Sequence, residues 1–267
     1  MRANFLALHV TGQPLLMPNP WDVGSAKLFA SLGFAALGTT SSGHAATVGK
    51  MDGSVHQDDV LAYASGIADA VDLPVSADLE NGFGIAPEAV YSAVRQAATT
   101  ALAGCSIEDF TGDASAPLYD RHLAAERVRA AAEAAHSAES GLVLTARAEN
   151  FFRGVPDLAD TIARLQLYQE AGADVLYAPG LTTIEDIRSV VASVDAPVNV
   201  LVRPGIGTLQ DLADAGVARL SVGGAFAQVA FAAVARAGRE LLAAGSFEFL
   251  DAAAEGRGEM TRAFTDQ

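Results

Sequence analysis

The segment LPVSADLENGFG, residues 73–84, joins an apolar run to two carboxylates and a glycine-containing turn. Its first five residues, Leu73 to Ala77, predict a buried strand, and Asp78 and Glu80 follow one residue apart. Because successive side chains of a strand point to opposite faces, we expect both carboxylates to point the same way. The segment therefore predicts one side of a divalent-metal site at the carboxyl end of a strand.

Two further apolar runs end in charged residues in the same way. Residues 105–107 lead into Glu108-Asp109, and residues 142–145 lead into Arg147-Ala148-Glu149. Acids are costly to bury unless a metal ion or a cationic side chain compensates them. A helix cap or a surface loop would explain any one of these cases. Three successive strands favour a functional site, since functional groups collect at strand carboxyl ends in α/β folds.

Short apolar runs alternate with longer amphipathic segments along the chain, and each unit has room for one crossover helix. The length of 267 residues is normal for a single α/β barrel of roughly 250 residues. We therefore predict a (β/α)8 TIM barrel over residues 1–245, followed by a C-terminal helical extension over residues 246–267. The predicted strands are 15–17, 35–38, 75–77, 106–107, 142–145, 175–178, 198–202 and 220–222, with helix starts near Asp22, Gln57, Pro87, Asp120, Asp157, Thr182 and Thr208.

The composition excludes several classes of protein and of partner. Hydrophobic residues make up 51% of the chain, and no apolar run approaches the ~20 residues that a membrane span needs. The amino terminus lacks the pattern of a signal peptide, and the single cysteine cannot form an internal disulfide, so we expect a cytoplasmic protein. The net charge of -15 argues against nucleic acid and anionic membranes as partners.

Several acids surround one arginine at the predicted strand ends. Such oxygen ligands suit magnesium, which keeps several waters and takes one or two protein carboxylates directly. The five histidines show no zinc-ligand spacing. The pattern therefore predicts a magnesium ion and an anionic small-molecule substrate. The residues at these ends are Asn19, Trp21, Asp22, the run Thr39 to His44, Asp78, Glu80, Glu108, Asp109, Arg147, Glu149 and Asn150.

Two of these features have a structural alternative. The run Thr39-Thr40-Ser41-Ser42-Gly43 is either an ordinary hydroxyl-rich loop or a set of donors for a carboxylate. Arg147 is either an ion-pair partner of Glu149 or Glu108, or the cation that holds a substrate carboxylate or a developing oxyanion. Cys105 is most simply a small core residue.

The chain resembles the isocitrate lyase and phosphoenolpyruvate mutase superfamily from Asn19 through Gly224. The matching segments are Gly38-Thr39-Thr40-Ser41-Ser42-Gly43 with Asp52 beyond it, Asp78-Leu79-Glu80-Asn81-Gly82-Phe83-Gly84, Ile107-Glu108-Asp109 and Ala146-Arg147-Ala148-Glu149.

The resemblance implies a magnesium or manganese ion bound directly by Asp78, with Asp52, Glu80 and Glu108 reaching it largely through water. It also implies a 2-oxo or enolate-like acid on that ion. The catalytic candidates that it implies are Arg147, Glu108 and Asp52, and the substrate-binding candidates are Trp21, Ser41, Ser42, Gly43, Asp78, Arg147 and Asn150. Superfamily members form homotetramers, dimers of swapped dimers that exchange C-terminal helices, which would give residues 247–264 a partner.

One loop departs from the superfamily pattern. Lyases of the group carry a Lys-Lys/Arg-Cys-Gly-His loop after the fourth strand, and mutases and phosphonopyruvate hydrolases have a lysine there. The loop of this chain, FTGDASAPLYD at residues 110–120, has neither the cysteine nor the lysine. Isocitrate and methylisocitrate are therefore disfavoured as substrates, and Ser115, Tyr119 and His44 are the candidate proton carriers.

The resemblance and the departure together predict a magnesium-dependent enzyme that breaks a carbon–carbon bond. Its substrate would be a small 2-oxo or 2-hydroxy di- or tricarboxylate, cleaved through the enolate of a 2-oxo acid. One alternative is the processing of phosphonopyruvate or carboxyphosphonoenolpyruvate. Another is a non-catalytic protein that binds 2-oxo acids.

Overall fold

A computed structural model describes residues 2–137 and 141–265 of the chain. In these residues, eight parallel strands alternate with helices in a nearly closed barrel, which confirms the predicted (β/α)8 fold. The strands lie in the order β1-β8-β7-β6-β5-β4-β3-β2 around the sheet. They are β1 (Leu15–Met17), β2 (Leu37–Gly38), β3 (Val75–Asp78), β4 (Gly104–Glu108), β5 (Val143–Arg147), β6 (Val175–Tyr177), β7 (Val198–Leu201) and β8 (Arg219–Ser221).

The helices cover the outside of the barrel, and their starts agree with the sequence signals. Asp22, Asp120, Asp157, Thr183 and Thr208 are the N-caps of five of them. The helices are α1 (Arg2–Ala7), α2 (Val23–Ser31), α3 (Ser41–Thr47), α4 (Gln57–Asp69), α5 (Pro87–Ala98), α6 (Arg121–Ala135), α7 (Leu158–Glu170), α8 (Ile184–Ala192), α9 (Leu209–Asp214), α10 (Ala225–Ala244) and α11 (Phe249–Thr265). Among the described residues, no helix combines the length and the apolar character that crossing a membrane requires.

A buried asparagine closes the seam between β1 and β2, where the sheet order has its two ends. The Asn19 amide group donates to the carbonyl oxygen of Gly38 at 2.9 Å, and its Oδ1 accepts from the backbone N–H groups of Val222 and Gly223. A Cβ on Gly38 would lie 2.7 Å from the Met17 side chain, so glycine permits the close approach of β1 and β2. The seam therefore depends on the polar side chain of Asn19 and on the absence of a side chain at Gly38.

Helix α1 covers the amino-terminal end of the barrel, where a polar cluster is buried. Arg219, at the start of β8, donates to Asn199 Oδ1, Thr145 Oγ1 and His9 Nε2, each at 3.0 Å. Because the Nδ1–H of His9 donates to the Phe5 carbonyl oxygen at 3.0 Å, Nε2 is left as the acceptor for Arg219. Burial and the Arg219 guanidinium lower the pKa of His9 to about 4. The neutral histidine is thus part of the barrel floor.

A second buried cluster ties α7 to the end of β4. Asp109 accepts a 2.6 Å hydrogen bond from the Tyr168 hydroxyl, a 2.8 Å bond from the Glu149 N–H, and a 3.1 Å bond from Arg164. Asp109 and Tyr168 are both buried. The carboxylate therefore fixes the position of the segment that follows β5.

The C-terminal extension packs on its own chain at one point and leaves much of α10 uncovered. Helix α11 contacts α2, where Ala263 is buried. Ala227 is the buried residue of α10, whereas Val229, Val234 and Leu242 are exposed along the helix. The exchange of the C-terminal extension, residues 247–264, between subunits stays a prediction.

We predict that His9 makes the stability of the barrel depend on pH. The folded-state pKa lies below the ordinary value of 6.5, so its contribution is fully present above pH 6.5 and is lost as the pH falls toward 4. Between pH 7 and pH 5 this costs about 2 kcal/mol of the free energy of unfolding. In His9→Gln, urea unfolding at the two pH values should show a decrease smaller by about that amount. The exposed-site control His122→Gln should keep the full decrease, and an unchanged decrease in His9→Gln would contradict the assignment.

We also predict that Asp109 supports stability. Asp109→Asn leaves the buried Arg164 without one of its carboxylates, and the free energy of unfolding should fall by about 3 kcal/mol. The control Asp113→Asn removes an equal charge from an exposed turn four residues away and should change the unfolding midpoint in urea little. A fall no larger in Asp109→Asn than in this control would show that the cluster contributes little.

Candidate active site

Two adjoining cavities open at the carboxyl ends of the strands, which we call the mouth of the barrel. The Asp78 cavity, of about 460 Å³, reaches inward past Asp78 to Arg219. The Glu80 cavity, of about 580 Å³, lies beside it and is lined by Glu80, Glu108 and the loop after β4. Both cavities are lined by four shared residues, Ser41, Asp52, Arg147 and Phe152.

Asp78 is the last residue of β3 and is held from several sides. Its Oδ2 accepts from the Ser41 hydroxyl at 2.9 Å, and its Oδ1 accepts from Arg147 Nη1 at 3.0 Å. Its backbone N–H donates to Thr39 Oγ1 at 2.9 Å. The carboxylate is therefore fixed at the wall of its cavity.

Arg147, the last residue of β5, is at the centre of a network of carboxylates. Its Nη1 contacts Asp78, its Nη2 lies 2.9 Å from Glu108 and 2.8 Å from Glu149, and its Nε donates to Glu149 at 3.0 Å. These acids hold the pKa of the arginine well above its usual range, although burial alone would lower it. One N–H of Nη1 has no acceptor among the described residues. Both alternatives for Arg147 are thus compatible with the geometry, since the arginine is ion-paired and also lines both cavities.

A second arginine, Arg153, binds Glu108 and Glu149 through their other carboxylate oxygens. It contacts Glu108 Oε1 and Glu149 Oε2, each at 3.1 Å, and its guanidinium lies 3.6 Å from the centre of the Phe110 ring. Burial raises the pKa of Glu108 well above its usual range, and the two arginines oppose that effect. Glu149 itself is fully buried. The two carboxylates therefore position both arginines.

The backbone turns sharply after Asp78, so the strand does not continue to Glu80 as expected. Strand β3 ends at Asp78, and Glu80 and Phe83 have positive φ angles of 50° and 59°. Strand alternation therefore does not set the direction of the Glu80 side chain, because Glu80 lies beyond the strand in a left-handed turn, although Leu79 between the two acids is buried as predicted. Buried Arg127 of α6 holds this turn by donating to the carbonyl oxygens of Asn81, Gly84 and Ile85. Such strain in non-glycine residues concentrates at functional sites.

The acids around the mouth fit a hydrated divalent cation. Burial, with Asp78 and Asp52 nearby, raises the pKa of Glu80 to about 7, and its Oε1 is buried without a hydrogen-bond partner among the residues that the structure describes. A cation beside Glu80 would relieve both conditions. Within residues 2–137 and 141–265, no three acidic, histidine or cysteine side chains converge closely enough to ligate one ion alone. Magnesium fits this arrangement, because it is usually held by one or two carboxylates and by water.

The hydroxyl-rich run after β2 leads into helix α3, which begins at Ser41. Thr40 is the N-cap and accepts from the Gly43 N–H at 3.3 Å. Ser41 and Ser42 line the Asp78 cavity, whereas Gly43 does not. A Cβ on Gly43 would lie 2.6 Å from the Thr40 side chain and 3.0 Å from Trp21, so Gly43 is a packing residue.

The remaining predicted residues divide between the cavities and the protein interior. Asp52 is exposed at the edge of both cavities. Trp21 packs edge-on against Phe29 and lines neither cavity. Asn150 is buried behind the site and donates to Asp160 at 2.9 Å. Asp109, which the sequence placed with the mouth acids, belongs instead to the Arg164 cluster.

Three residues of the site were missed from the sequence. Arg153 lies three residues after Asn150, the last residue predicted at the end of β5, and no sequence pattern marked this loop position as functional. Tyr177, at the end of β6, lines the Asp78 cavity with its ring centre 5.3 Å from the Arg147 guanidinium. Arg203, after β7, lines the same cavity. The ends of β6 and β7 could have been included by extending the strand-end rule to all eight strands.

The loop after β4 is folded on itself. Phe110 and Leu118 form a β-bridge, and the Thr111 N–H donates to the Pro117 carbonyl oxygen at 2.9 Å. Tyr119 lines the Glu80 cavity, whereas the Ser115 hydroxyl donates to Asp113 on an exposed turn. His44 stacks on Tyr63 with its ring centre 3.9 Å away, and it lines neither cavity. Of the three candidate proton carriers, Tyr119 is the one at a cavity.

Several known proteins are similar to this chain over most of its length. A crystal structure from Burkholderia cenocepacia J2315, provisionally assigned as a lyase or mutase, is 47% identical with a TM-score of 0.94, over 99% of this chain and 95% of that one. An uncharacterised protein of Mycobacterium tuberculosis H37Rv is 33% identical over 82% of this chain and 81% of its own. The structure of 2,3-dimethylmalate lyase is 29% identical with a TM-score of 0.79, over 87% of this chain and 84% of that one.

More distant relatives have named activities. A 2-methylisocitrate lyase of Escherichia coli K12 is 28% identical, over 73% of this chain and 67% of its own. An oxaloacetate decarboxylase of Pseudomonas entomophila is 28% identical, over 74% of this chain and 69% of its own. The family model of phosphoenolpyruvate phosphomutase matches residues 5–242. With its barrel and its mouth of carboxylates around Arg147, the chain belongs to the phosphoenolpyruvate phosphomutase family, within the phosphoenolpyruvate mutase/isocitrate lyase superfamily.

Proposed function

We propose that this protein is a magnesium-dependent carbon–carbon lyase for a small 2-oxo or 2-hydroxy di- or tricarboxylate. The family supports an enzyme, and the relatives with named activities include lyases and a decarboxylase. The observation that carries the proposal is the Arg147 network, in which a buried arginine joins Asp78, Glu108 and Glu149 at the walls of two open cavities.

A bound magnesium ion would be held by Asp78, with Asp52, Glu80 and Glu108 around it, and would supply Lewis-acid stabilisation of negative charge on a substrate oxygen. The donor set supports this, because the mouth holds more carboxylates than arginines. The raised pKa of Glu80 and its unpaired Oε1 further support a cation here.

The residues of the chain would bind and orient the substrate. The Ser42 hydroxyl would donate to a substrate carboxylate, whereas the Ser41 hydroxyl, which donates to Asp78, would hold the Asp78 carboxylate in place. The N–H of Arg147 that lacks an acceptor would meet an oxygen that gains charge as the bond breaks. Glu108 and Glu149 would hold Arg147 in that orientation, so little reorganisation accompanies the reaction. Tyr119, at the wall of the Glu80 cavity, is the best-placed candidate for moving a proton.

The loop after β4 favours a lyase that differs from isocitrate lyase. Residues 110–120 contain no cysteine, lysine or arginine, so they supply neither a thiol for proton transfer nor a cation for a phosphoryl group. Phosphonate processing therefore loses support, and cleavage of a carboxylate substrate gains it.

We predict that Asp78→Asn abolishes metal-dependent turnover. The change keeps the shape of the side chain but removes the charge that would hold the ion and pair with Arg147. The unmodified protein is screened in the presence of magnesium, and the release of pyruvate or glyoxylate is measured. At least one compound should be a substrate among oxaloacetate, 2-methylisocitrate, isocitrate, dimethylmalate and phosphonopyruvate. Its rate should disappear with EDTA and should fall by at least about 100-fold in Asp78→Asn.

The matched control is Asp72→Asn, which removes an exposed charge just before the same strand and should keep full activity. Turnover in Asp78→Asn equal to that of the control would exclude the proposed role of Asp78. If 2-oxo acids bind in a magnesium-dependent way but no compound is turned over, the protein is a binding protein and the proposal of an enzyme is wrong.

We also infer that the chain associates with copies of itself. The exposed apolar side chains of α10 and the half-exposed Leu16 of β1 support this inference, since isolated proteins rarely leave such surfaces uncovered. We predict that light scattering coupled to gel filtration gives a mass of several chains. Replacing Val229 and Val234 by Ser should lower that mass, and a single-chain mass for the unmodified protein would contradict the inference.

A further inference from the structure

Three arginines line the Asp78 cavity, and they differ in their partners. Arg147 is surrounded by carboxylates. Arg219 is buried at the inner end, where it donates to three neutral acceptors of the barrel. Arg203 lines the cavity near Phe152, and within the described residues it has neither an ion pair nor a hydrogen bond from its side chain. Arg203 is therefore the cation of this cavity with the most donors free for a ligand.

The loop after β7 begins with Arg203, an exposed residue at the wall of the cavity. The Ile206 N–H donates to the Arg203 carbonyl oxygen at 3.2 Å, and Gly205 between them has a φ angle of 86°. A Pro204-Gly205 pair with positive φ at the glycine is typical of a type II turn. The arginine thus projects from a defined turn at the mouth of the barrel.

The Phe152 ring orients Arg203 without using its hydrogen-bond donors. Its centre lies 5.7 Å from the Arg203 guanidinium carbon and 5.3 Å from that of Arg153. The ring therefore contacts two arginines, of which Arg153 is paired with Glu108 and Glu149 and Arg203 is not. A guanidinium that contacts a ring keeps its edge N–H groups available for a carboxylate.

The lack of an acid beside Arg203 contrasts with the composition of the chain, in which 32 acidic residues outnumber 17 basic ones. Arg147 and Arg153 at the mouth, and Arg164 in the buried cluster behind it, each contact at least two acids. A cation at a cavity wall with no acid beside it is an available receptor for an anion, and the planar fork of arginine matches a carboxylate bidentately.

We propose that Arg203 binds the substrate carboxylate remote from the 2-oxo group, and so selects dicarboxylates over monocarboxylates. The inference rests on the proposed function, in which Ser42, Arg147 and a magnesium ion held by Asp78 bind the 2-oxo acid end of the same molecule. Both ends lie against one cavity of about 460 Å³, which is large enough for a small diacid.

The partner of Arg203 also bears on the type of bond that breaks. Decarboxylation breaks the bond between carbon and a carboxylate, leaves the electron pair on the carbon and releases neutral CO2. A guanidinium paired with a carboxylate stabilises its negative charge in the ground state more than in the transition state, where that charge is leaving the carboxylate. The ion pair therefore slows the decarboxylation of that group. The carboxylate at Arg203 is therefore one that remains on a product.

A binding experiment tests this role without relying on turnover. The probes are 2-oxoglutarate and 2-oxopentanoate, which have the same number of carbons and differ by one terminal carboxylate. In calorimetry with magnesium chloride, the unmodified protein should bind 2-oxoglutarate at least about tenfold more tightly, as expected for one charge-assisted pair. Arg203→Met should remove this preference and leave the affinity for 2-oxopentanoate unchanged, whereas Arg203→Lys should retain part of it.

The control Arg188→Met removes an exposed charge on α8 and should keep the full preference. A preference that survives in Arg203→Met, or that is absent from the unmodified protein while oxalate still binds with magnesium, would overturn the role of Arg203 alone. Failure of oxalate and of both 2-oxo acids to bind would remove the proposed function and this inference with it.

Discussion

Arg147 and its three carboxylates hold together the carboxyl ends of β3, β4 and β5. Each acid comes from a different part of the mouth: Asp78 ends β3, Glu108 ends β4, and Glu149 follows β5. Removing the arginine would leave three acids in a poorly solvated region, which is far more costly than losing one exposed ion pair. The network thus serves both stability and chemistry, since the acids that it fixes are the ones that a cation would need.

Buried polar contacts supply the same kind of fixation elsewhere in the barrel. Asn19 joins β1, β2 and β8 at the mouth, and Arg219 joins β5, β7 and β8 at the floor. Short strands of two to five residues offer few ladder hydrogen bonds, so side chains contribute much of the closure. Because these side chains have specific partners, they favour one register of the barrel over others, in the way that buried polar groups specify structure when they are fully satisfied.

The sequence predicted the barrel well because alternating apolar and amphipathic runs are direct consequences of burial. It predicted Asp78, Glu108 and Arg147 at the mouth because parallel strands all end on the same side. It failed where the chain leaves regular structure. The left-handed turn at Glu80 depends on Arg127 in a distant helix, and no local pattern reveals that contact. Asp109 looked like a mouth acid, since a strand end does not tell which of two adjacent side chains faces inward.

The charge pattern of the mouth follows from one constraint on an acidic chain. Acids crowd at three strand ends, and arginines on neighbouring loops compensate them in part. Where compensation is complete, as around Arg164, the cluster is buried and lines neither cavity. Where it is incomplete, as at Glu80 with its raised pKa and at Arg203 with no acid, the groups face the cavities. Glu80 and Arg203 have opposite charge, which matches a substrate that has a carboxylate for the arginine and a 2-oxo group that chelates a cation.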